Sequence, residues 1–329
     1  MANKLHVKGH DCKTMATINL TEGRAQTKTS EEIGCSPSSE GGLQQQSIYF
    51  SLITEISIYF NIFLSITALS GNSLILVALR KLSSLHPTSK LLYRCLATTD
   101  LLVGLVSQPL YATYWMSIVY EHWSLCPYIR DAAFITSYGL CGVSLSTVTA
   151  ISVDRLLVLL LGLKYQQTVT LKRTRIVLAT FWVISNVAAS YYILDGRITF
   201  WYGRIFLPSY IVISFVSYTK IFRALSHRQV QVQDHVLQQP SQPSALNTAR
   251  YKKAVYSALW VQLALVACYV PYGIMEILIG YARHLVVVWG TATVLVYFNS
   301  TLNPFLYCWK INEVRQAVKQ TIRQTLCSQ

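Results

Sequence analysis

Asp100 makes the strongest chemical demand in this sequence. It closes Leu96-Ala-Thr-Thr-Asp100 inside an apolar stretch, with no charged neighbour. A carboxylate placed there must pair, bind a cation or take up a proton. Side chains able to meet that demand recur in other apolar stretches. Asn72 follows Gly71, Ser144 lies mid-chain, and Asn299, Ser300 and Asn303 precede Pro304 in Asn299-Ser-Thr-Leu-Asn-Pro-Phe-Leu-Tyr-Cys-Trp-Lys310. Amides and a proline are costly in hydrocarbon unless neighbouring helices or trapped water satisfy them. Together these residues imply a buried polar cluster centred on Asp100.

The elements that would hold such a cluster are written in the composition. Of 329 residues, 52% are hydrophobic and 13% charged, against about 25% charged in soluble domains. Seven apolar segments, at roughly 47–79, 91–115, 126–160, 175–194, 205–225, 253–280 and 285–309, are each long enough to cross about 30 Å of hydrocarbon. The expected fold is an all-α membrane protein: a seven-transmembrane helix bundle with a C-terminal amphipathic helix. Residues 1–46 read as a polar, disordered extracellular tail without a signal peptide, 47–309 as the bundle, and 310–329 as a membrane-surface helix and cytoplasmic tail. In that last segment Ile311, Val314, Val318, Ile322 and Leu326 share one face, and Arg315, Lys319 and Arg323 the other.

The net charge of +14 does not imply nucleic acid, because no DNA-reading module accompanies it. Nineteen Lys and Arg fall in one set of connectors and the C-terminal tail, against four in the opposite connectors. The positive-inside rule then sets the N-terminus outside and the C-terminus in the cytoplasm. Asn19-Leu-Thr21 would then be a glycosylation acceptor, and Cys327 a palmitoylation candidate beside the inner leaflet. None of the eight cysteines forms a CxxC pair, so no structural metal is expected. Cys12, Cys35 and Cys126 would face an oxidising compartment.

Gly71-Asn72, Leu96-Ala-x-x-Asp100, Asp154-Arg155-Leu156, Trp182, Tyr218-x-x-Ile-Phe222, Cys268-Tyr-Val-Pro271 and Asn303-Pro-Phe-Leu-Tyr307 fall one per segment, in order. This set resembles the signature of rhodopsin-like (class A) G-protein-coupled receptors over residues 47–325, closest in flavour to adenosine or melanocortin receptors. The resemblance implies a plasma-membrane receptor, not an enzyme, that transduces an extracellular ligand signal to heterotrimeric G proteins by rearranging its bundle. It makes Asn72, Asp100, Ser144, Asn299, Ser300 and Asn303 a pocket for regulatory sodium, with no other cofactor. Asp154 and Arg155 would form a resting pair, Tyr218 and Tyr307 would swing toward it on activation, and Pro271 and Pro304 would be hinges.

The chain departs from the family pattern in places. Leu156 stands for tyrosine, Tyr269 for the sixth-helix tryptophan, and Arg130 for the third-helix cysteine. The loop 195–204 lacks cysteine, leaving Cys126 to pair with Cys12 or Cys35 or to stay free. Tyr297 occupies the position of the opsin lysine, Ser137 that of the amine-binding aspartate, and Glu276 that of the adenosine-binding asparagine. Asp131, Ser137, Tyr269, Glu276, Trp289 and Tyr297 are the candidate ligand contacts, for a peptide, an amine or a nucleoside-like molecule. A transporter or channel would instead need repeats or charge-lined spans, and no repeat is visible. A receptor fold that has lost signalling and serves as a scaffold is the other alternative.

Overall fold

The computed structural model describes residues 39–82, 85–122, 124–238, 260, 263–278, 286–310 and 312–327; Asn19, most of the 1–46 tail and the side chain of Cys327 lie outside what it describes. The described residues are helical, with no strand. The first span is Ser39–Lys81, the second Pro87–Val119, the third Cys126–Leu161, the fourth Leu171–Ser190 and the fifth Gly196–Gln238. Leu263–Leu278 belongs to the sixth, Val286–Lys310 is the seventh, and Asn312–Cys327 is the amphipathic helix. Four of these, at Ser51–Lys81, Cys126–Thr168, Leu171–Ile193 and Gly196–Ala224, are long and apolar enough to cross a bilayer unaided by neighbours.

Burial is distributed as lipid requires. Phe63, Ile66, Val183, Val187, Val212, Phe215, Leu263 and Ile277 are exposed, whereas Asn61, Asn72, Asp100, Gln108, Ser144 and Asn303 are buried. Without a hydrophobic driving force between helices, close packing and interhelical hydrogen bonds hold such a bundle together. The third span is central, packed against the second, fourth and fifth, as its length suggested. It ends at Gly162, whose φ of 50° is one that glycine adopts without cost.

The second span is longer than the 91–115 read from the sequence and is interrupted by a π turn at Val103–Ser107. Pro109 explains it. Lacking an N–H, Pro109 leaves the Gly104 carbonyl without a helical donor, and Ser65 Oγ of the first span donates to that oxygen at 2.6 Å. Gly104 permits the approach: a Cβ there would meet Ser65 O and Ala68 Cβ at 3.1 Å.

The fifth span also begins earlier than expected. Residues 195–204, read as an outer loop, are helical from Gly196 onward. Asp195 caps that helix, accepting the Arg197 backbone N–H at 3.0 Å. Its hydrogen bonds to Arg197 hold its carboxyl below the ordinary value. Only Leu194 and Asp195 separate the Tyr191–Ile193 turn after the fourth span from the fifth. Two turns of helix, Gly196–Arg204, thereby carry Tyr202 and Gly203 to the outer end of the bundle.

Candidate functional site

Asp100 is fully buried, and three donors from two other spans converge on it. Ser144 Oγ donates to Oδ1 at 2.8 Å, Ser300 Oγ donates to the same oxygen at 2.9 Å, and Asn303 Nδ2 donates to Oδ2 at 2.7 Å. Asn72 and Asn299 join the cluster differently. Asn72 Nδ2 donates to the carbonyls of Ala68 at 2.9 Å and Ser300 at 3.1 Å, tying the first span to the seventh. Asn299 does not reach the carboxylate; its buried Nδ2 has no acceptor. Two hydroxyls and a carboxylate form an oxygen-rich donor set of the kind hard cations prefer.

Toward the inner end, Arg155 Nη2 bonds Asp154 Oδ2 at 2.8 Å. Two residues that sequence did not single out complete this lock. Ser89 Oγ donates to Asp154 Oδ2 at 3.0 Å and also bonds Arg155, while the Tyr165 hydroxyl donates to Asp154 Oδ1. Tyr165 opens the short helix after the third span, and nothing in its sequence context marked it. Arg155 also lies 5.9 Å from the centre of the Tyr93 ring, which meets Tyr307 edge-on at 5.1 Å. Tyr218 and Tyr307 line one cavity of about 360 Å³ with Asn303 and Leu96, and the Tyr307 hydroxyl is buried without a partner.

Toward the outer end lies a cavity walled mainly by apolar and aromatic side chains with a few polar groups, the make-up of small-molecule sites. Ser137, Tyr269, Glu276, Trp289 and Tyr297 line it. Asp131 is not among the lining residues; it is ion-paired with Arg130 at 3.2 Å. Ser137 is engaged by the Tyr297 hydroxyl and the Ala133 carbonyl. Tyr138 and Tyr272, which sequence reading missed, flank Glu276. The four-residue step from Tyr272 to Glu276 was the available signal, since it puts both on one helix face. Tyr269 is buried at the cavity floor, in the packed core with Leu96 and Val296. Cys126, buried at the start of the third span, is disulfide-bonded to a cysteine outside the described residues. Cys95, Cys141, Cys268 and Cys308 are free, and no cluster of potential metal ligands occurs among the described residues.

Residues 71–199 match the family "7 transmembrane receptor (rhodopsin family)". The histamine H2 receptor of Rattus norvegicus is 27% identical over 302 residues, covering 82% of this chain and 80% of its own. That of Canis lupus familiaris is 25% identical over 306 residues. The muscarinic acetylcholine receptor M3 of Rattus norvegicus is 30% identical over 125 residues, 38% of this chain and 21% of its own. These relatives are not the adenosine or melanocortin receptors that the motifs suggested. Helical fold, ordered motifs and these relatives make the chain similar to the rhodopsin family of seven-transmembrane receptors, the family match itself spanning residues 71–199.

Proposed function

We propose that this chain is a rhodopsin-like G-protein-coupled receptor that lies in the plasma membrane with its N-terminus outside, binds a small extracellular ligand in the outer cavity, and relays its presence inward to a heterotrimeric G protein through Asp100. The observation that carries this reading is an unbroken column of buried groups. Glu276 and Tyr269 line the outer cavity, Asp100 with Ser144, Ser300 and Asn303 follows, and Tyr307, Tyr218 and the Asp154–Arg155 pair end it.

A ligand shifts the bundle only by binding the open arrangement better than the closed one. Here the closed arrangement is the one in which Ser89, Tyr165 and Asp154 hold Arg155. Sodium coordinated by Asp100, Ser144 and Ser300 oxygens would favour it further, and Pro271 and Pro304 would be the hinges about which the inner halves of the sixth and seventh spans swing. The relatives named for histamine and for acetylcholine point to small organic cations as the ligand class to try first.

The test is guanine-nucleotide exchange in membranes carrying the full chain and a heterotrimeric G protein. Exchange above receptor-free membranes is expected, and Arg155→Ala should remove at least about 1.4 kcal/mol of coupling, a tenfold loss. Exchange that persists undiminished without Arg155 would overturn the switch.

A further inference from the structure

The outer cavity is chemically one-sided. Ten of its twenty lining residues are aromatic, Glu276 is the single acid, and none is basic. Glu276 is only 1% exposed. Its Oε1 accepts the Tyr138 hydroxyl at 2.6 Å, and the Tyr272 hydroxyl donates in turn to Tyr138 at 2.8 Å. Among the described residues no ion pair closes on this carboxylate. Arg204 lies close by without pairing directly: its Nη2 donates to the Glu276 main-chain oxygen at 3.1 Å, and its guanidinium lies 5.5 Å from the Trp201 ring centre. A carboxyl group held in a dry site without a direct ion pair takes up a proton or calls for a cation.

A second observation points the same way. Trp289, 6% exposed and on the same cavity wall, buries its indole N–H without an acceptor. Buried donors are rarely left unpaired in proteins. The Tyr272 ring lies 6.3 Å from the Trp289 ring, so the orphan donor and the lone carboxylate flank the same residue. Between them the wall is aromatic: Phe134 stacks on Trp289 at 5.4 Å and 14°, and on Tyr138 at 6.3 Å and 17°. Aromatic faces attract organic cations and hold flat rings. Gly203 leaves no side chain on the fifth-span flank of the carboxylate, where a Cβ would stand 3.0 Å from Oε1.

We infer that the cavity takes a small protonated aromatic amine bearing one hydrogen-bond acceptor, its ammonium on Glu276 between Tyr138 and Tyr272 and its acceptor on the Trp289 N–H. The anchor is thus an acid of the sixth span, because Ser137 of the third carries no charge. The inference rests on the receptor reading for its signalling consequence, but binding alone tests it.

Full-length protein in lipid nanodiscs without G protein would be titrated at neutral pH with tryptamine, phenethylamine and their ring-hydroxylated forms. The alcohol and the carboxylate of each skeleton serve as controls, and thermal stability is the readout. Amines alone are expected to raise the melting temperature. Glu276→Gln should weaken them about 30-fold, as loss of a charge-assisted hydrogen bond does. Trp289→Phe, which keeps the stack, should weaken only the hydroxylated probes, by about tenfold. Should Glu276→Gln not fold, Glu276→Asp, which shortens the carboxylate arm, is expected to weaken amines about tenfold. Stabilisation by the alcohols or carboxylates, none by any amine, or undiminished amine binding in the folded Glu276 variant overturns the inference. With no G protein in the assay, its failure leaves the nucleotide-exchange result standing, and the reverse holds.

Discussion

Asp100 and Glu276 are two buried carboxylates with opposite surroundings. Three donors meet Asp100 within hydrogen-bond distance, so its charge is solvated by the protein. Ser144→Ala removes one of them, and a loss of about 1–3 kcal/mol in stability is expected, read as a lower melting temperature of the purified receptor. Asp100→Asn should abolish any difference between sodium and potassium chloride in thermal stability; a sodium effect that survives it would remove Asp100 from the proposed ion site. The Asp100 cluster was legible in the sequence because each member is a polar anomaly within an apolar run. Tyr138 was not, since tyrosine is unremarkable in a membrane helix and only three-dimensional proximity makes it a partner of Glu276, whereas Tyr272 is marked only by its four-residue step to that acid. Asp131 differs from both. An acid near the outer mouth looks free until the adjacent Arg130 is seen folded onto it.

At the level of elements, two local devices control the switch. The short helix Tyr165–Thr168 delivers a phenol to Asp154, so Tyr165→Phe should loosen the Arg155 lock. Basal nucleotide exchange is expected to rise by about 1.4 kcal/mol of lost restraint, roughly tenfold, without ligand. Gly104 lets the first span reach the π turn of the second. Gly104→Val would press against the Ser65 carbonyl, which is 3.1 Å from the first added carbon, and should cost about 1–3 kcal/mol, measurable as lost thermal stability. The spans themselves were legible from hydropathy, but their ends were not. The fifth begins at Gly196 rather than near 205 because Asp195 supplies a cap. The second runs on to Val119 because Ser65 repairs the carbonyl that Pro109 strands, a repair made by a residue 39 positions away.

For the whole molecule, apolar surface faces outward and hydrogen-bonding groups inward, an arrangement stable only with lipid around it. The asymmetry of basic residues, nineteen against four, predicts a topology that can be checked directly. An epitope before Asn19 should be accessible on intact cells, and one after Cys327 only after permeabilisation; the opposite staining would reverse the assignment. The π turn has a last consequence. A π turn accommodates one more residue than the α-helical turn it replaces, and successive α-helical residues differ by about 100° around the axis. Regularising the Val103–Ser107 turn with all its residues kept would therefore rotate everything outward of it by about 100°. Tyr111, which lines the outer cavity and bonds Gly290, would turn away, while Asp100 on the inner side would keep its place. A single-residue deletion at this point removes what the wide turn absorbs, so both flanks, and the residues they carry to the two ends of the bundle, keep their faces.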